Sequence, residues 1–302
     1  MTTSMSIRVT QGMIQTQTVN ALNKNLNRMG STQEQLTTGR KINRPSDDPV
    51  GITYALRYRG ELAMNNQYQR NITQANSALE HVDTVLGQVN DLVARVKELT
   101  VKGISDTSTP ESRYAISQEL SGIYNNLLTL GNDQLNGKFI FNGQKTDASP
   151  YDGNTAGTID TDDADILLSL APGVDIATNV SGNKVFGNAA DTDNLFKVVR
   201  TLRDAFSTND AVTARDNMAK LDTRLNKFLG VRSEVGARAN RIEMLDNRNQ
   251  DLDVTLNSLS GKTEDADMAK TITQLQTQQN VYQASLSVGA KLIQQSLVDY
   301  LR

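Results

Sequence analysis

The chain has 302 residues, 31 Lys or Arg against 34 Asp or Glu, 37% apolar and 5% aromatic residues, and neither Trp nor Cys. A net charge of −3 argues against a nucleic-acid binder, the lack of Cys removes disulfides, thiol nucleophiles and Cys-ligated metals, and no apolar run exceeds three residues, which excludes a membrane-spanning helix. So little apolar material suits an elongated rod with narrow seams better than one compact globule.

The first predicted element is a helix over about 9–38. Val19, Leu22, Leu26, Met29, Gln33 and Leu36 alternate three and four residues apart, the a/d spacing of a coiled coil. Gly39 is placed to end it with a left-handed cap. Pro45 then holds Arg44 extended, and Asp48 followed by Pro49 reads as the N-cap and first residue of a second helix. That helix runs over about 49–102. Ile72, Ala75, Leu79, Val82, Leu86, Val89, Val93 and Val96 form its stripe, and Val85, Leu92 and Leu99 widen it to the face of a bundle helix. Thr109-Pro110-Glu111 repeats the cap-then-proline signal before a helix carrying Ile116, Leu120, Ile123, Leu127 and Leu130, ending near Gly131.

Composition changes at Gly137. Residues 138–194 hold three Lys and nine Asp, a local net of −6. Lys138–Gly143, Ile166–Leu168, Val174–Ile176 and Lys184–Phe186 read as short strands of a β-rich insert, expected to project as an acidic tip. Helix resumes at Asn194 and turns near Thr208. Val235, Ala239, Ile242, Leu245, Asn249, Leu252, Leu256 and Leu259 make a further seam, which Gly261 is expected to break. A last helix carries Met268, Ile272, Leu275, Gln279, Tyr282, Leu286, Gly289, Ile293, Ser296 and Tyr300. The order is nearly palindromic, so the chain should fold back at the insert. It is expected to be mainly α with a small β-rich insert, its N- and C-terminal helices pairing as a coiled coil. Residues 1–43 and 262–302 would be terminal assembly helices, 44–137 and 195–261 an α-helical bundle domain, and 138–194 the insert.

The end seams contain Gln33, Gln279, Gly289 and Ser296, and bury too little apolar area to offset their ordering entropy alone. They are expected to gain order on assembly. Val19, Leu22, Leu26, Met29, Ile272, Leu275, Tyr282, Leu286, Ile293 and Tyr300 are the candidate assembly interface.

Catalytic readings fare poorly. His81 is the only histidine and has no second His or Cys to orient it. Asp160, Asp162, Asp163 and Asp165 lack the glycine and closing Glu of an EF-hand and read as a solvated loop. Arg8, Lys24, Arg28, Arg40 and Lys41 are spread along the N-terminal segment without interleaved aromatics, unlike a nucleic-acid arm. Arg44, Asp47 and Asp48 could suggest a carboxylate pair with a positioning Arg, but helix capping and a turn explain Asp48 and Pro49, so a structural role is assigned. No catalytic, cofactor-binding or metal residue is assigned, and no cofactor.

Leu36-Thr37-Thr38-Gly39-Arg40-Lys41-Ile42-Asn43 with Pro45-Ser46-Asp47-Asp48-Pro49-Val50-Gly51 resembles the N-terminal signature of the flagellin family. Arg232-Ser233-Glu234-Val235-Gly236-Ala237 with Asn240-Arg241 resembles its second-half signature, and Glu264-Asp265-Ala266-Asp267-Met268-Ala269 the opening of its C-terminal helix. The motifs lie in the family's order, and the helical resemblance covers all but the insert. Ile7-Arg8-Val9-Thr10-Gln11-Gly12-Met13-Ile14, Phe139-Ile140-Phe141-Asn142-Gly143 with Pro150-Tyr151, and Ser296-Leu297-Val298-Asp299-Tyr300-Leu301 resemble the family's junction members more than its filament subunits. The resemblance implies a self-assembling structural protein of the bacterial flagellum, not an enzyme. It implies export, unfolded, through the flagellar type III channel without signal cleavage, since residues 1–18 lack the apolar core of a secretory signal. It also implies an extracellular ring between hook-associated protein 1 and flagellin, and a cytoplasmic export chaperone guarding the C-terminal helix. A short flagellin is the alternative.

Overall fold

The structure, a computed structural model, describes residues 11–300, with side chains for residues 12–291. The elements in chain order are α1 (Gln11–Thr38), α2 (Pro49–Ile104), α3 (Pro110–Gly131), β1 (Gln134–Leu135), β2 (Lys138–Phe139), β3 (Leu167–Ala171), β4 (Val174–Ala177), α4 (Gly182–Phe186), α5 (Leu195–Ser207), α6 (Ala211–Glu264) and α7 (Met268–Tyr300). Two compact units divide within α2 and α6. One comprises the segments up to Ala63 and from Asp253 onward, the other Met64–Leu252.

The Met64–Leu252 unit holds one continuous apolar core. The α2 stripe from Ile72 to Leu99 meets Ile116, Leu120, Ile123 and Leu127 of α3, Leu195, Val198, Val199 and Leu202 of α5, and Leu221, Phe228, Val235 and Ile242 of α6. Capping sets the start of α3: the Thr109 hydroxyl accepts from the Ser112 N–H at 3.2 Å, and Pro110 opens the helix. At the same end, Arg113 donates to the Gly103 carbonyl at 2.9 Å and to Asn209 Oδ1 at 2.7 Å, joining α3 to the end of α2 and to the α5–α6 turn.

The segment between α3 and α5 is mostly irregular. Its strands form two antiparallel hairpins, β1–β2 and β3–β4. The first turns at Asn136-Gly137, whose φ values of 54° and 77° suit a two-residue hairpin turn. Lys184–Phe186, expected as a strand, lies instead in α4, because Ser181 caps a helical turn by accepting from the Asn183 N–H. Nor does this segment stand apart as a tip. Tyr151 and Phe186 pack on Phe196 of α5, with ring centroids 4.7 Å apart for Tyr151–Phe196 and 5.0 Å for Phe186–Phe196, and Phe141 meets Phe186 edge-on at 5.4 Å. Phe141, Phe186 and Phe196 are fully buried in the same core as the helices. Arg224 of α6 adds a polar clamp. Its guanidinium donates to the Asp193 carbonyl at 3.0 Å and to Asp191 Oδ2 at 2.9 Å, and Lys227 reaches Asp193 Oδ2 at 3.0 Å. Gly187 (φ +100°) passes so close that a Cβ would lie 2.5 Å from Arg224 Nη2.

The acidic loop and His81 have structural partners. Asp160 accepts from the Ala189 N–H at 2.6 Å, Asp162 from the Gln144 N–H at 2.9 Å, and Asp163 from Asn183 Nδ2 at 3.0 Å. His81 Nε2 lies 2.7 Å from Asp133 Oδ2. Among the described residues no group of three or more His, Cys, Asp or Glu side chains could hold a metal ion, and no helix is long and apolar enough to cross a membrane.

The other unit is thinner. Its buried apolar residues among those described are Ile42, Ala55 and Leu256. α6 runs through Gly261 and stops at Glu264, so the expected break at Gly261 falls three residues later.

Candidate assembly surface on the terminal helices

The unit is organised around a turn. Gly39 (φ +70°) ends α1 in the left-handed region. Asp47 Oδ2 accepts from the N–H groups of Asn43 at 3.0 Å and Arg44 at 2.8 Å, and Asp48 Oδ1 accepts from those of Val50 at 3.1 Å and Gly51 at 2.9 Å, capping α2. The turn pairs with the break between α6 and α7 through an antiparallel bridge, Arg40 to Asp265. Lys41 N–H donates to the Glu264 carbonyl at 2.7 Å, Ala266 N–H to the Gly39 carbonyl at 2.9 Å, and Lys41 Nζ to the Lys262 carbonyl at 2.9 Å. The Glu264 side chain is 3% exposed; it accepts both arms of Arg59 and lies 3.6 Å from Arg40. The three partners come from the first turn, α2 and the end of α6, so this clasp fixes where α1 and α7 leave.

From the clasp α1 and α7 run side by side and antiparallel. Gly289 stands against Thr18, whose Cγ2 would lie 3.4 Å from an added Cβ. The half-buried face of α1 is Ile14, Thr18, Leu22, Asn25, Met29 and Leu36, with Thr32 buried; that of α7 is Leu275, Gln278, Tyr282, Ser285 and Gly289, with Thr271 buried. The steps are coiled-coil steps, but half the residues are small or polar. Thr32 and Thr271 are tolerated there because each hydroxyl donates within its own helix, to the Arg28 carbonyl at 2.9 Å and the Asp267 carbonyl at 2.7 Å.

The expected seam is corrected accordingly. Leu22, Met29, Leu36, Leu275, Tyr282 and Gly289 do face the α1–α7 contact. Val19 (52% exposed), Leu26 (39%), Ile272 (46%) and Leu286 (45%) do not; they lie outward, as do Met13, Val281 and Val288. Choosing the largest apolar residues at a/d spacing merged two adjacent stripes into one. The side chains of Ile293, Ser296 and Tyr300 lie outside the described residues. A groove of about 440 Å³ runs along one flank of the pair, lined by Ile14, Ala21, Val281, Ala284 and Val288 among others. The pair thus satisfies itself through a weakly apolar face and leaves apolar side chains in water on both flanks, Val19, Leu26, Ile272 and Leu286 on one and Val281 and Val288 on the other.

The sequence motifs share these roles. Leu36–Gly51 and Glu264–Ala269 build the clasp and the start of α7. In the Met64–Leu252 unit, Arg232 pairs with Asp83 at 3.0 Å, and Arg238 donates to the carbonyls of Ala177 at 3.2 Å and Asn179 at 3.0 Å.

Residues 9–146 match the model of the bacterial flagellin N-terminal helical region, and residues 218–301 that of the C-terminal helical region. The chain is 29% identical over 273 residues to flagellar hook-associated protein 3 of Salmonella typhimurium, a match covering 83% of this chain and 86% of that protein. It is 23% identical over 303 residues to the flagellin of Bacillus subtilis, covering 96% and 97%. The fold is similar to the crystal structure of the flagellar junction protein FlgL from Legionella pneumophila, with a TM-score of 0.58 and 14% identity over 70% of this chain and 100% of that one. With both helical regions present in order and the motif residues placed in one clasp and one bundle, the chain belongs to the flagellin family.

Proposed function

We propose that this chain is the structural subunit of the hook–filament junction of the bacterial flagellum, adapting the hook to the flagellin filament. The match to hook-associated protein 3 of Salmonella typhimurium across most of both chains supports this position. The observation that carries assembly is the outward apolar face of α1 and α7. Val19, Leu26, Ile272 and Leu286 make the contacts between subunits, with Ile293 and Tyr300 continuing the interface; Leu22, Met29, Leu275 and Tyr282 hold the pair that presents it. Residues 1–43 and 262–302 serve as assembly helices, 44–137 and 195–261 as the bundle domain, and 138–194 as the insert. Subunits close into a ring between hook-associated protein 1 and flagellin. The chain reaches that place by type III export, unfolded and without signal cleavage, with a cytoplasmic chaperone covering its C-terminal helix. The role is mechanical and not catalytic, in keeping with a family of structural flagellar proteins.

Ile272 and Leu286 lie two heptads apart on one face of α7. Full burial of such a side chain contributes about 1.5–3 kcal/mol, and each is already half covered, leaving about 1 kcal/mol per residue for assembly. Ile272→Asp with Leu286→Asp also buries charge in an apolar contact. Cells carrying the double variant are expected to make hooks and shed flagellin into the medium without building filaments. Normal filaments would refute the assembly role of this face. Absence of flagellin from the medium would instead favour a filament subunit.

A further inference from the structure

The Met64–Leu252 unit carries a groove of about 610 Å³ between the outer face of α2 and the two hairpins. Its floor includes Val82, Phe139, Ile140 and Ile166, and its charged lining residues are Arg70 and Lys138, with no carboxylate. That is unusual here, because residues 138–194 carry a net of −6. The groove would accept an apolar side chain set among acidic groups.

The same unit presents such a feature elsewhere. Ile159 is 51% exposed, on a turn after Gly157, with Asp160 directly after it and Asp152 seven residues before it in sequence. The other exposed large apolar residue of the insert, Leu167, sits on β3 next to Ile166 and points to the opposite face of the strand, away from the groove. We infer that the α2–hairpin groove receives the Ile159 turn of a second copy of the chain, a subunit contact separate from the terminal helices. Ile159 fills the apolar floor, and the Asp160 carboxylate beside it, which also accepts from the Ala189 N–H of its own chain, faces Arg70 and Lys138. Groove and turn are different patches of one chain, so the contact is head-to-tail, the kind that propagates around a ring. The inference rests on self-assembly as proposed above and adds a second contact to it.

The chain has no cysteine, so single thiols report the contact cleanly. Ser77 lines the groove and is exposed, which makes Ser77→Cys a small change. Full-length Ser77→Cys and Ile159→Cys proteins are mixed under assembly conditions and oxidised, and rings are followed separately by electron microscopy. The expected result is a cross-linked dimer in the mixture and in neither protein alone. Its yield should fall severalfold when Arg70→Glu and Lys138→Glu are added to the Ser77→Cys protein, or when salt is raised. No mixed product, with or without rings, overturns the inference. So does a dimer formed by Ser77→Cys alone, which would mean that groove faces groove. A mixed product without rings would uphold this contact and count against the terminal-helix reading.

Discussion

The clasp at Glu264 sets up an asymmetry that mutation can expose. Its carboxylate is 3% exposed, whereas Arg59 and Arg40 are 41% and 50% exposed. Removing the arginine strands a buried charge; removing the charge frees two arginines that water can reach. Arg59→Ala leaves Glu264 with Arg40 at 3.6 Å. Breaking a fully buried pair costs about 3–5 kcal/mol, and the remaining arginine reduces this to about 2–3 kcal/mol. Glu264→Gln keeps the shape and loses charge-assisted bonds whose arginine partner is hydrated, at about 1 kcal/mol. The double variant should resemble Glu264→Gln alone. Because the chain has two compact units, a global melt is a poor reporter. Amide exchange at Lys41 and Ala266, whose N–H groups close the bridge, reads the local opening. With about 1.4 kcal/mol per factor of ten, Arg59→Ala should speed both amides by about 30–150-fold and Glu264→Gln by about fivefold. Equal acceleration by the two single changes, or a double variant as fast as Arg59→Ala, would refute the reasoning.

Phe186→Ala should cost about 3–5 kcal/mol in the Met64–Leu252 unit, seen as a lower urea midpoint of helical signal, because its ring sits in the helical core; an unchanged midpoint would show the insert to be separable. Gly103→Ala puts a Cβ 2.4 Å from Phe206 Cε1, on a ring that is 1% exposed, and should cost about 2 kcal/mol by overpacking, measured as a lower thermal midpoint. Burial acts to raise the Asp191 pKa, but the bond from the Asn188 N–H and the Arg224 guanidinium outweigh it and hold the carboxyl below its ordinary value. Its stabilising contribution is therefore present above the ordinary aspartate pKa of about 3.9 and lost as pH falls through the folded value. The difference in urea midpoint between the parent and Asp191→Asn should close on acidification, and a pH-independent difference would contradict this.

Much of the helical frame was legible because its signals are local. Thr109-Pro110, Asp48-Pro49 and Gly39 act on the adjacent backbone, and the helices begin or end beside them. The wide α2 stripe was legible because a bundle face repeats large apolar residues. The α1–α7 contact was only half legible. Thr18, Asn25, Thr32, Thr271, Gln278 and Ser285, small or polar, fill that face, and composition gives no reason to prefer them over Val19 or Ile272. Lys184–Phe186 is too short for periodicity to separate strand from helix, and its cap, Ser181, was the available signal. The Arg59–Glu264 pair joins residues 205 positions apart, and the core position of Phe186 depends on Phe196; neither has a local signature.

The central claim is a place on the flagellum, and gold-labelled antibody against this chain on intact flagella tests it most directly. A single short band of label where the hook meets the filament is the expected result. Label distributed along the filament would contradict the account and make the chain a flagellin.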